Sequence, residues 1–308
     1  MPEKLYKRTT KRNHLVLYLL MVPGLLYILL NNYLPMAGVF IAFKKINYSL
    51  GIFKSQWVGL RNFKFLFATP DAWIITRNTV VYNVAFLVME TVFGIAVAIM
   101  LADMRNQKLA RFSQSALILP DLISMVICSY IAFAFLSQEN GMLNNTILPF
   151  FGLKPVSWYA EKGPWPVILS VVYLWLNIGT TAIIYLSSSV GINKALYESA
   201  ELDGATRWQQ ITRITIPCIK PTIVTMLLLS TGTLFYSNFG LFYLIPQNSG
   251  MIHDVTATYD TYVYNALMKS NNIGMAAAAG LFQSVVGFVL VLIANKITAK
   301  VDEENALF

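Results

Sequence analysis

Between Gly163 and Val190, and again between Pro221 and Pro246, no charged side chain occurs. Runs of that length constrain the chain more than any motif does. A helix needs about 20 mostly apolar residues to cross a hydrocarbon core, at about 1.5 Å per residue, and lipid leaves no unsatisfied backbone group unpunished. Six stretches meet the requirement: residues 15–43, 78–101, 112–136, 163–190, 221–246 and 270–295. The polar cluster Asp103, Arg105, Lys108 and Arg111 closes the second, and Lys296 with Lys300 closes the sixth. The expected class is an all-α membrane protein with six transmembrane helices. Composition agrees: 12% of the 308 residues are charged, about half the share found in a soluble domain.

An even number of spans puts both termini on one side, and the basic residues choose that side. Fourteen Lys and Arg fall on the face of the termini, in the tail (Lys4, Lys7, Arg8, Lys11, Arg12), in the second and fourth connections and at the C-terminal end; nine fall opposite. The termini are therefore expected to be cytoplasmic. The layout is a basic tail (1–14), a six-helix membrane domain (15–297) with a cytoplasmic loop at 191–220, and a short C-terminal end (298–308). Six of the nine opposing cations lie in the first connection, at Lys44, Lys45, Lys54, Arg61, Lys64 and Arg77, interleaved with aromatics. That stretch is expected to lie along the outer headgroups. The first apolar run of 29 uncharged residues exceeds the core of about 7 to 15 in a cleavable signal, so it reads as a retained span.

Several chemistries lack their residues. Cys128 and Cys218 lie in different segments with no ligand spacing, which supports neither a disulfide framework nor a metal site. His14 and His253 stand far apart at the edges of apolar runs, where a surface or interface role is the ordinary reading. No phosphate-cradling G-x-x-x-x-G-K-[ST] pattern occurs, so the chain is not expected to hydrolyse ATP itself. An intramembrane enzyme would need a nucleophile and base, or a metal set, within the spans. An ion-driven secondary transporter is the alternative of another class; it would show inverted repeats and paired intramembrane acids, whereas Glu90 and Asp121 are scattered.

The polar island Tyr197–Pro221, YESAELDGATRWQQITRITIPCIKP, interrupts the apolar runs. It reads as two short helices. Asn193 can cap the first, Gly204 stands where a helix ends in a left-handed residue, and Thr206 can cap the second. The second is expected to finish before Pro217, because a proline disfavours helical geometry at the residue before it. Pro221 would then open the fifth span. Within this island Glu198, Ser199 and Ala200 are followed by three residues, Gly204, nine residues and Ile214-Thr215-Ile216-Pro217. The spacing resembles the EAA loop of ABC-importer permeases, with serine for the second alanine and isoleucine for the leucine. Trp57 to Phe63 (WVGLRNF), Leu119-Pro120, Gly141 to Asn144, Trp175, Gly179, Leu202 to Ala205, and Gly274 with its alanine run also resemble carbohydrate-type permeases of the maltose/multisugar kind, nearest the subgroup handling oligosaccharides and polysaccharide fragments.

That resemblance implies a type I ABC importer permease of the bacterial cytoplasmic membrane. It implies a second permease in a heterodimer, two ATPase subunits that hold the ATP and Mg, and an extracytoplasmic solute-binding protein that delivers a sugar or oligosaccharide. It gives the chain no cofactor and no nucleic-acid partner. Tyr197, Glu198, Ser199, Ala200, Asp203 and Gly204 would form the coupling helix seated on an ATPase, the small residues allowing close approach. For the passage, intramembrane Glu90 and Asp121 should face protein or water, because each costs about 2.5 to 3.5 kcal/mol at a helix centre. Glu90 is expected to hydrogen-bond between helices. By resemblance Asp121, Ser124, Tyr173, Leu176, Asn177 and Thr180 would contact sugar, with Tyr236 and Asn238 at the end of the fifth span. Aromatic faces suit sugar C–H surfaces and amides suit paired hydroxyls.

Overall fold

The structure, a computed structural model, describes residues 16–64 and 68–301. The expected basic tail and most of the C-terminal end lie outside them. The first spanning helix, α1 (Val16–Phe43), is apolar around its girth, and Ala42 is its one buried residue. Its last turns, Ala37–Phe43, pack against the sixth span. A two-stranded antiparallel ribbon follows, β1 (Lys44–Lys45) with β2 (Gln56–Trp57), a small addition to an otherwise helical chain. The Asn62 amide donates to the carbonyls of Ala42 and Lys44 at 2.8 and 2.9 Å, closing this lobe over the start of the last helix.

Helix α2 (Pro70–Ala102) begins eight residues before the expected 78–101. Pro70 occupies the first turn, where its missing N–H costs nothing. Arg77, expected among the headgroup cations, lies inside this helix; its guanidinium donates to Asn78 Oδ1 at 3.0 Å and to the Asp254 carbonyl at 2.8 Å. Where one span was expected over 112–136, two helices stand, α3 (Gln107–Leu122) and α4 (Met125–Leu136), bent by 96°. Pro120 and the extended backbone at Ile123 and Ser124 separate them.

Helix α5 (Trp165–Val190) lies along α2. A Cβ on Gly94 would sit 2.8 Å from Thr181 Cγ2, so glycine sets the closeness of the two helices. Buried Ala98, Leu101, Tyr185 and Leu186 fill one end of their seam. Tyr82, Phe86, Trp165, Leu169 and Leu176 fill the other, where Leu241 and Phe242 join them.

The polar island begins with α6 (Lys194–Leu202), and the next helix overturns an expectation. It does not stop before Pro217: α7 runs from Arg207 to Thr231 through both prolines. Ile211–Thr215 form a π turn in which the Ile216 N–H reaches the Ile211 carbonyl, and Ile216 keeps helical angles of −61° and −46°. The extra residue in that turn places Pro217 in the first turn of the succeeding α segment, where no N–H is required. At its far end α7 stops at Thr231 rather than near Pro246, and residues 232–238 leave regular helix before a π turn at Gly240–Leu244. Then come α8 (Tyr259–Met268) and α9 (Ile273–Val301).

Segment 253–259 is stitched to α2 by polar side chains. Asn78 donates to the carbonyls of Asp254 and Ala257, Tyr82 donates to Val255 at 2.8 Å, and Thr79 accepts from the Tyr259 N–H at 3.1 Å. On the same rim Lys162 pairs with Asp254 and, by that hydrogen bond, holds the carboxyl below its ordinary range.

Candidate functional site

Two interruptions of the spanning helices abut. The first is the bend between α3 and α4. Its backbone is satisfied locally: Ser124 Oγ accepts from the Ile127 N–H at 3.4 Å, and the Ile123 N–H donates to the Pro120 carbonyl at 3.1 Å. Gly179 of α5 presses on the last turn of α3, where a Cβ would meet the Leu117 carbonyl oxygen at 1.9 Å. One residue along α5, the Thr180 hydroxyl donates to Asp121 Oδ2 at 2.9 Å.

The second interruption is the end of α7. Non-helical backbone at this depth persists only where protein or water satisfies it, and here three side chains do so. Asn83 of α2 donates to the carbonyls of Leu234 and Tyr236 at 2.8 and 2.9 Å. Gln283 of α9 donates to the Phe235 carbonyl at 2.8 Å. Asp260 of α8 accepts from the Ser237 N–H and hydroxyl at 2.6 and 2.8 Å. The Asn238 side chain then starts the π turn by accepting from the Leu241 N–H at 3.1 Å.

The interruptions meet at Gly240, whose absent Cβ would lie 2.7 Å from Cβ of Met125, next to Ser124. Asp121, Ser124, Thr180 and Asn238 thus gather from three elements, all exposed in this chain. Acceptor and donor groups converge there, the set that polyhydroxylated ligands need. Asn177 stands one turn along α5, half-buried, its amide on the Tyr173 carbonyl at 2.8 Å.

The other expected contacts fall elsewhere. Leu176 is 4% exposed, within the core seam. Tyr173 stacks on Phe86 with centroids 4.0 Å apart and donates its hydroxyl to Glu90 at 2.8 Å, and Thr181 also donates to Glu90. In this arrangement both face protein, because α2 covers that side of α5. Glu90 bridges the two helices as its cost in lipid requires. Tyr236 is 39% exposed, with its hydroxyl on Ser284 of α9 at 2.7 Å, apart from the Asp121–Thr180 pair. Asn83, Asp260 and Gln283 were missed in the sequence. Asn83 and Gln283 are polar residues in apolar runs, the one signal they offered, and Asp260 lies outside every expected span.

At the opposite end of α5, the polar island forms a compact bend. The Asn193 side chain caps α6 at the Ala195 N–H, 3.0 Å away. Gly204 takes φ 76°, with the Ala205 and Gly204 N–H groups returning to the carbonyls of Ala200 and Glu201, a Schellman close. Thr206 and Gln209 then form a capping box at the start of α7. Glu198, Ser199, Asp203 and Gly204 are exposed, as are Leu202 at 90% and Trp208 at 71%. Tyr197 and Ala200 are half-buried beneath them, with the Tyr197 hydroxyl 2.9 Å from that of Thr215. A charged rim around protruding apolar side chains at a membrane-helix end is a protein-docking surface in form.

Over residues 78–303 the chain matches the family described as binding-protein-dependent transport system inner membrane component. It is 34% identical, over 94% of its length and 89% of the relative's, to the polygalacturonan/rhamnogalacturonan transport system permease protein YteP of Bacillus subtilis (strain 168). Its structure is similar to a chain of a bacterial ABC transporter involved in the import of the acidic polysaccharide alginate: TM-score 0.86, 32% identity, 97% of this chain and all of that one covered. A second structure, the bacterial alginate transporter in complex with alginate pentasaccharide-bound periplasmic protein, aligns with TM-score 0.85 at 32% identity over 97% of this chain.

Proposed function

Because the chain belongs to the binding-protein-dependent transport system inner membrane component family, we propose the following division of labour for it. It is an integral membrane protein, the transmembrane subunit of an ATP-driven importer of sugars or oligosaccharides. A solute-binding protein outside delivers the cargo, and the subunit passes it inward by alternating access. ATP and Mg are held by two ATPase subunits, not by this chain. A second permease covers the exposed side of the interruptions and much of α1, in the bacterial cytoplasmic membrane, with the 191–220 bend facing the cytoplasm.

The observation that carries this reading is the pairing of the two regions in one chain. Asp121, Ser124, Asn177, Thr180 and Asn238 supply hydroxyl, amide and carboxylate groups where helices α3/α4 and α7 are broken. Tyr197, Glu198, Ser199, Ala200, Asp203 and Gly204 supply the surface on which an ATPase presses. A solute that shifts a two-state membrane domain must bind its states unequally. Weak, exposed polar contacts at helix breaks meet that need, because they rearrange when the helices rock.

The test is uptake of oligosaccharide by liposomes holding the assembled transporter, with its binding protein outside and ATP inside. Uptake that needs ATP and persists after the proton gradient collapses is the expected result. Uptake that dies with the gradient and ignores ATP returns the chain to the secondary-transporter class.

A further inference from the structure

Asp103 ends α2 and Arg207 opens α7, 104 residues later, and the two side chains meet. Arg207 Nη2 donates to Asp103 Oδ1, and Nε donates to Oδ2 at 3.1 Å. This is the two-pronged pairing in which guanidinium and carboxylate planes fix each other's orientation, something a lysine cannot reproduce. The same guanidinium donates through Nη1 to Gln210 Oε1 at 2.7 Å and lies 6.0 Å from the centre of the Tyr197 ring. Tyr197 in turn binds Thr215 across the bend. One side chain thereby touches elements of α2, α6 and α7.

The chain path explains why such a joint is useful. Helix α6 connects to α5 through Gly191–Asn193 and to α7 through Asp203–Thr206, where Gly204 sits at φ 76°. A push on α6 passed through backbone alone would be lost in rotation about that glycine link. α2 and α5 are already one body, joined along their seam and through Glu90 to Tyr173 and Thr181. Linking the head of α7 to the foot of α2 makes the fifth spanning helix follow that body.

We propose that Asp103 and Arg207 form a coupling clasp, with Arg207 a positioning residue that transmits ATPase movement from α6 to α2 and α7 together. The clasp rests on the ATP-driven reading above. It is not a device for folding: the Arg207 side chain is 53% exposed and that of Asp103 35%, and ion pairs that open to water add little stability.

The experiment uses the complete transporter in liposomes. Asp103→Asn and Arg207→Lys are expected to lower solute imported per ATP hydrolysed by about fivefold or more, within the usual range of coupling between sites. Thermal stability and assembly stay unchanged, and Asp103→Glu retains coupling. In a Cys218→Ser background, the pair Asp103→Cys and Arg207→Cys is then uncoupled when reduced and regains coupling when bridged by a short, reversible bis-thiosulfonate linker. Unchanged import per ATP in Asp103→Asn overturns the clasp, and so does a bridged transporter that stalls, because its halves would then have to separate. Loss of assembly in both Asp103→Asn and Arg207→Lys would mark a merely structural contact and also overturn it. A wild-type complex without ATP-dependent import would instead sink the transport reading itself.

Discussion

Two proline sites within the spanning helices have opposite outcomes. At Pro120 the third span breaks and turns by 96°; at Pro217 and Pro221 the fifth runs straight on from Arg207 to Thr231. The residue type is the same, so the difference lies in what surrounds the freed carbonyls. Ahead of Pro217, the π turn at Ile211–Thr215 shifts the hydrogen-bond ladder by one residue. After Pro120 no such shift occurs; Ser124 caps a new helix and Gly179 lets α5 lie directly against the old one. One site became a stiff lever and the other a break that gathers polar groups. The mechanism needs both, since a push carried by the lever is useful only where the bundle is able to rearrange.

The strongest way to break the contrast is to remove the room at the bend. Gly179→Leu sets side-chain atoms into the Leu117 backbone, which cannot retreat as a flexible side chain would. Overpacking of this kind costs about 3 kcal/mol or more, and the yield of folded protein in detergent, followed by its thermal midpoint, should fall accordingly. If Gly179→Leu folds normally, the close approach that shapes the break is wrong.

Next in size are changes to the lever's end. Glu198→Lys and Gly204→Asp should abolish transport while membrane insertion, checked by protease accessibility, stays intact. At Gly204 the φ of 76° alone disfavours a side chain, by about 1 to 2 kcal/mol, and the carboxylate adds a charge to a docking face. Normal uptake by either variant would remove the coupling assignment.

A smaller effect is expected at the break itself. Asp121→Ala deletes the partner of the Thr180 hydroxyl and one acceptor for sugar; loss of a hydrogen bond of about 1 kcal/mol corresponds to a KM about fivefold higher, with ATPase activity little changed. An unaltered KM would place the solute path elsewhere. The smallest effect belongs to Pro217→Ala. Because the register already accommodates the ring, stability should move by less than about 1 kcal/mol and transport should be normal. A large loss there would mean that Pro217 shapes the lever instead of being tolerated by it.

Much of this was readable from residues alone, for reasons that differ by element. Asn193, Gly204 and Thr206 announced their caps because capping depends on the local chain and one side chain. Glu90 announced an interhelical partner because an acid in lipid must find one, although Tyr173 and Thr181 as the partners required the pairing of α2 with α5. Tyr173 and Leu176 were expected at the solute by resemblance; their burial follows from which side of α5 is covered by α2. The fate of Pro217 was illegible, since an adjoining π turn leaves no compositional mark.

The sequence by itself determined that the chain crosses a membrane in helices, which stretches carry them, and that a polar bend with a left-handed glycine interrupts them. Apolar length, charge and local capping suffice for that, because each acts within a few residues of its cause. Only the tertiary structure decided that two spans are broken, that the breaks abut at Gly240 and Met125, that Asn83, Asp260 and Gln283 satisfy the exposed backbone, and that Arg207 reaches Asp103. Those are contacts between residues far apart in the chain, and their geometry exists only once the helices have packed.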